Sequence, residues 1–198
     1  MDMHILWGLV AFSLVSSITP GPNNLMLMAS GANYGFQRSI PHMLGVAIGF
    51  VFMVMMVGMG LMQLFDALPA SYSVLKVLSV TYLIYLAVRI ATASPSSSAE
   101  PAQGRPLNFG QAAAFQWVNP KAWTMALTAI SVYAPTRDLG AVLLVAAVFG
   151  LVNLPSVSLW TVLGYQLQRV LAQPRRLRAF NVVMAILLVG SLYPVLEL

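Results

Sequence analysis

Apolar residues in this chain fall in long runs rather than in the alternating or one-faced patterns of elements that border water. Six such runs cover residues 4–30, 41–65, 72–92, 110–133, 139–163 and 179–196. Each is near the roughly 20 residues that carry an α-helix across a bilayer. The longest polar interval, 94–108, is rich in Pro, Ser, Ala and Gly. That composition predicts a flexible linker. The expected fold is an all-α membrane protein, a single domain of six transmembrane helices. Repeat one spans 1–93, the linker 94–109 and repeat two 110–198. Three crossings per repeat is an odd number, so the second repeat must be inverted relative to the first.

Composition narrows the solvent. Hydrophobic residues make up 59% of the chain and charged residues 8%, and the mean hydropathy is +0.82. A soluble domain is about a quarter charged, so lipid is the medium that suits this surface. There is no cysteine, which excludes disulfides, thiolate metal sites and thiol nucleophiles. The N-terminal Met-Asp-Met-His lacks a positive n-region, so the first run reads as a retained span rather than a signal peptide.

The net charge of +5 is segregated. Arg38, Arg89, Arg105, Arg169, Arg175, Arg176 and Arg178 flank the odd-numbered loops, whereas Lys76 and Arg137 lie on the opposite side. Positive loops stay in the cytoplasm, which places the odd loops inside and both termini outside. No basic stripe with interleaved aromatics is present, so no nucleic-acid partner is expected.

Two runs carry matched interruptions. The first contains Ile18-Thr19-Pro20-Gly21-Pro22-Asn23-Asn24. Proline removes a backbone donor and clashes with the preceding turn. Gly21 with Pro22, or Thr19 with Pro20, then offers a cap and first turn for a new half-helix. The fourth contains Trp117-Val118-Asn119-Pro120-Lys121, where Asn119 is a favoured N-cap and Pro120 a favoured first helical residue. These are the opening helices of the two repeats, helices 1 and 4. Matched breaks in inverted repeats point to the binding site of a secondary transporter. Asn153-Leu154-Pro155-Ser156 in the fifth run is a weaker case, a kink or a third break.

Lys121 is the one strongly charged residue deep in a span, and such a residue is a functional candidate. It would hold a substrate carboxylate or titrate during transport, or else snorkel toward the interface or hydrogen-bond to carbonyls freed by a break. The acids Asp2, Asp66, Glu100, Asp138 and Glu197 all lie at ends or in loops. A cationic substrate would lack a buried counter-charge, so neutral, amino-acid-like substrates are expected. The predicted substrate-binding set is Pro20, Gly21, Pro22, Asn23, Asn24, Asn119, Pro120, Lys121 and Asn153. Asn24 and Asn153 have an equal claim to bridging helices. His42, read as lying at the start of the second span, is a candidate proton relay beside Lys121, against a structural role. Gly45 and Gly49 have small-xxx-small spacing for close helix approach. No HExxH, serine elbow or phosphate loop occurs, so neither an enzyme nor direct use of ATP is expected, and no metal or cofactor.

The run Thr19-Pro20-Gly21-Pro22-Asn23-Asn24, continuing through Ala32, Gly35-Phe36, Gly45 and Gly49, resembles the LysE/RhtB family of amino-acid exporters. Asn119-Pro120-Lys121 is similar to that family's second-half motif, and the likeness extends over essentially the whole chain. It implies a multi-pass exporter of the bacterial inner membrane that lowers excess cytoplasmic amino acids on the proton gradient. Many members carry Asp where this chain has Asn23, which weakens proton coupling at that position and the case for a cationic substrate. The expected function is secondary-active export of small neutral amino acids or derivatives, threonine-, homoserine- or cysteine-like, by proton-coupled alternating access as an antiporter. The expected partners are the substrate and the lipid bilayer, with a homodimer left open. A passive channel for small zwitterions and a non-transporting scaffold subunit are the competing readings.

Overall fold

The computed structural model describes residues 3–61, 63, 67, 68, 70–93, 104–136 and 138–193, without the side chain of Tyr72. Asp2, Asp66, Glu100, Arg137, Glu197 and linker residues 94–103 lie outside the described residues. Among the described residues every regular element is helical. In chain order they are α1 (Met3–Ile18), α2 (Pro22–Tyr34), α3 (Phe36–Gly58), α4 (Ala70–Ala91), α5 (Phe109–Phe115), a 3-10 turn (Gln116–Val118), α6 (Pro120–Tyr133), α7 (Leu139–Leu167) and α8 (Pro174–Gly190).

Three helical segments are long and apolar enough to cross a membrane unaided: α3, the Ser73–Ala91 part of α4, and α7. The α1–α2 pair, bent by 52° at its break, makes a fourth if it is one span. The outward faces of these helices are apolar, as lipid requires; Leu151 of α7 is 77% exposed and Ile186 of α8 is 64% exposed.

Local chemistry sets the helix limits. Gly21 caps α2 with Pro22 in its first turn, and Asn119 caps α6, its side chain accepting from the backbone N–H of Lys121 at 3.2 Å. Asn108 and Gln111 form a reciprocal capping box that starts α5. Asp138 caps α7 through the N–H of Ala141, and the Thr136 hydroxyl that donates to Asp138 helps hold its carboxyl below the usual range. Gly35, at φ 84°, ends α2 and turns the chain directly into α3. That conformation favours glycine.

Two expectations change here. The second span starts at Phe36, not at residue 41, and Pro41 lies inside α3. The fifth span runs unbroken through Asn153 and Pro155 to Leu167, so that segment is not a third break. A proline within a membrane helix is accommodated when neighbouring groups satisfy the backbone it frees.

Packing crosses between the two halves. The first broken helix, α1 with α2, packs along α7 of the second half; α5 packs along α3 of the first; α4 and α8 pair with each other. Glycines set the closest of these approaches. A Cβ on Gly31 of α2 would collide with the Thr161 carbonyl oxygen of α7, and one on Gly164 would collide with that of Met28. A Cβ on Gly45 of α3 would strike the Phe109 carbonyl, and one on Gly49 would lie 2.6 Å from Ala113 Cα. The small-residue spacing in α3 therefore serves packing within the chain. Between α3 and α7 the buried rings of Phe50 and Phe149 meet edge-on at 5.3 Å.

Candidate functional site

The break after α1 leaves a run of carbonyl oxygens without helical donors, because Pro20 and Pro22 carry no N–H. Each of them has another partner. The Thr19 hydroxyl donates to Ser16 O at 3.1 Å, Asn24 Nδ2 to both Ser17 O and Thr19 O at 2.8 Å, and Trp160 Nε1 to Ile18 O at 3.0 Å. Lys121 Nζ donates to Thr19 O at 2.7 Å, to the Thr19 hydroxyl at 2.8 Å and to Pro20 O at 3.3 Å. A cation at a helix C-terminus also faces the negative end of the helix dipole. The ammonium of the second half thus caps the broken helix of the first.

A second link joins the two breaks. Asn23 Nδ2 donates to Gln116 Oε1 at 2.8 Å, and Gln116 Nε2 returns a bond to Asn23 Oδ1 at 3.2 Å while also donating to Ala112 O at 2.9 Å. Gln116 is fully buried. The second break is closed mainly by its own residues. Asn119 N donates to Gln116 O at 3.3 Å, and Trp123 Nε1 donates to Trp117 O at 2.9 Å.

Between the breaks lies a cavity of about 20 Å³ lined by Ser17, Asn23, Asn24, Asn119, Lys121 and Asn153, with Phe50 and Val157 on its apolar side. That volume suits about one water, so an amino acid needs the surrounding helices to part. Asn153 hangs from the unbroken α7 and reaches Ser17 Oγ only at 3.4 Å; its Oδ1 is buried with no hydrogen-bond partner. Buried polar atoms are normally paired, so this acceptor is ready for a donor from outside the protein. Among the described residues no carboxylate lines the cavity.

Of the residues singled out in the sequence, Gly21, Asn23, Asn24, Asn119, Lys121 and Asn153 come together here, flanked by Pro20, Pro22 and Pro120 at the turns. His42 does not. It is buried at 2% exposure, a full turn and more inside α3, and borders a different cavity. The apolar run that marks the second span begins at residue 41, which puts His42 at a span end, whereas α3 already starts at Phe36. The sequence reading missed Gln116, Ser16, Ser17 and Thr19. Gln116 was findable as an amide inside an apolar run; Ser16 takes part through a backbone oxygen that any helix carries, and Ser17 and Thr19 through backbone and hydroxyl oxygens together.

The chain matches the LysE type translocator family over residues 14–191. It is 29% identical over 191 residues to the cysteine/O-acetylserine efflux proteins of Escherichia coli (strain K12) and Shigella sonnei (strain Ss046), covering 96% of each chain. The protein of the same name from Shigella flexneri is 29% identical over 180 residues, 90% of each chain. No solved structure matches.

Proposed function

The chain belongs to the LysE type translocator family, whose members are membrane transporters and not enzymes, and on that premise we propose that it is a secondary-active exporter of small neutral amino acids or their derivatives. Its relatives are efflux proteins for cysteine and O-acetylserine, which are solutes of this class. It would cross the bacterial inner membrane six times as two inverted repeats, with both termini in the periplasm, and draw on the proton gradient.

One observation carries this reading: the Lys121 ammonium rests on the carbonyl end of α1, at the edge of a cavity that holds a buried, unpartnered amide oxygen. A zwitterion matches that arrangement in both charges. Its carboxylate pairs with Lys121 and draws the ammonium off Thr19 O. Its own ammonium then replaces Lys121 at the freed carbonyls and reaches Asn153 Oδ1. A cationic side chain would find no carboxylate to offset its charge.

The moving bodies would not be the two sequence halves. Glycine contacts tie α2 to α7 and α3 to α5, so each body draws helices from both halves. The cavity lies where α1, α2 and α7 meet α3 and α6. Helix α3 is also close to α7 at Gly58 and Val142, so opening the cavity to either side would repack that seam, including the Phe50–Phe149 contact.

The test is reconstitution in proteoliposomes with radiolabelled O-acetyl-L-serine, with and without an imposed proton gradient. Saturable flux against the solute's gradient supports the carrier. Non-saturating, strictly downhill flux identifies a channel, and no flux for any of a panel of amino acids identifies a scaffold.

A further inference from the structure

We propose that the cavity between the C-terminal ends of α2 and α4 is a second binding site, for the carboxylate of a small amino acid on the arginine-rich face of the protein. It measures about 50 Å³, larger than the one at the breaks. Ser30, Asn33, Tyr34, His42, Arg89 and Arg105 supply its polar lining, and Leu86 and Ile90 part of an apolar wall.

Three independent features make this a built site. The first is unpaired cationic charge. Among the described residues half-buried Arg89 makes one hydrogen bond, 3.3 Å to the backbone oxygen of Arg105, and it lies 5.9 Å from the Tyr85 ring. Among the described residues the lining contains no carboxylate. Most of the guanidinium's donor fork is therefore available, and that fork fits a carboxylate with two parallel bonds.

The second is His42. Both its ring nitrogens are buried and neither has a hydrogen-bond partner. A buried imidazole with two idle nitrogens is costly unless something polar occupies the space beside it. Among the histidines of the chain only this one is so placed; His4 is exposed on α1.

The third is the wall. Gly104 adopts φ 114°, and a Cβ there would stand 3.0 Å from Tyr34 Oη. The end of the linker is thereby seated against α2, carrying Arg105 to the cavity rim. Tyr34 in turn lies under Arg38, 5.8 Å from its ring.

The site shares α2 with the cavity at the breaks. Asn23 and Asn24 face one, and Ser30 and Asn33 face the other, about 9–15 Å further along the helix at 1.5 Å per residue. On the export reading, a solute held by its carboxylate at Arg89 would lie further along α2 from the breaks, on the arginine-rich side from which export begins. Identifying that solute as the exported amino acid rests on the export reading; the carboxylate site itself does not.

The test uses the full chain as His4→Gln, so that His42 is the single histidine, labelled with 15N and placed in phosphatidylcholine nanodiscs. Titration with sodium acetate and with O-acetyl-L-serine is followed at the His42 resonances. Both should shift them saturably, sodium chloride at equal ionic strength should not, and Arg89→Gln should weaken the shift by about tenfold or more. Lys121→Met should leave it intact. No saturable shift with acetate, or one indifferent to Arg89→Gln, overturns the site. A shift produced by phosphatidylglycerol in the bilayer and not displaced by acetate assigns the cavity to a lipid headgroup and also overturns it. Acetate binding without any transport would sink the export reading and leave this site standing.

Discussion

Lys121 Nζ and the carbonyl oxygen of Thr19 lie 2.7 Å apart although 102 residues separate them in the chain. The contact joins the two breaks and places the ammonium of Lys121 on the carbonyl end of α1, where the proposed exchange with a substrate ammonium would take place. Replacing Lys121 with Met should abolish the exchange. Export of O-acetyl-L-serine from loaded proteoliposomes should fall about 10–100-fold, the scale of a lost hydrogen bond to a charged group. Transport at the wild-type rate would remove Lys121 from the mechanism.

Gly21 offers a finer probe of the same contact. Its backbone is extended, at φ −178°, so alanine is sterically allowed there, but the new Cβ would lie 2.6 Å from Lys121 Cδ. Gly21→Ala should therefore fold with a near-normal melting temperature and lose transport by displacing the lysine stem. A large drop in melting temperature with transport preserved in the remaining protein would contradict this.

Asn153 separates substrate binding from stability by sign. Its Oδ1 is buried and unpartnered, and removing such an atom by a side chain of similar shape is neutral or stabilising. Asn153→Leu should hold or raise the melting temperature while increasing the KM for export about tenfold or more. Destabilisation by the same change would show that the amide is there for packing.

Gly31 and Gly164 should behave in the opposite way. Alanine at either would drive α2 and α7 apart at backbone level, a cost of about 1–3 kcal/mol for overpacking. Thermal unfolding in detergent should register both, whereas Gly190→Ala, with nothing near its Cβ, should pass unnoticed.

Asn23→Asp tests charge selection. The carboxylate keeps the bond from Gln116 Nε2 but no longer donates to Gln116 Oε1. It also places an anion in the cavity that Lys121 lines. Export of neutral solutes should fall and that of lysine should appear, read from a panel of labelled amino acids. Unchanged selectivity would mean that position 23 does not face the substrate.

Much of this site could be read from local chemistry. Asn119-Pro120 and Gly21-Pro22 state a cap and a first turn in their side chains, and both form as stated. Lys121 is already a candidate donor to freed carbonyls in the sequence, and it does reach them. What could not be read is that the break it answers lies in the other half, and that Trp160 and Asn24 answer the remaining carbonyls across turns or from another helix. His42 was misplaced for a related reason. The start of α3 is decided by the positive φ of Gly35, and His42 faces a cavity that residues of α2 and α4 help to line, neither of which its own neighbours reveal. Arg89 looked like a topology marker alone until the docked segment from Gly104 to Leu107 gave it a cavity.

The crossed glycine joints bear on how the molecule is made. While the first half emerges during synthesis, the groove beside Gly31 has no partner, since α7 is still to come. Until α7 is in place the early helices would lack their closest packing partner, and they are expected to lock only when the last third of the chain inserts. Residues 1–93 produced by themselves should be degraded quickly. Supplied together with 104–198 as a separate polypeptide they should persist, because the closest joints run between the two pieces rather than within either.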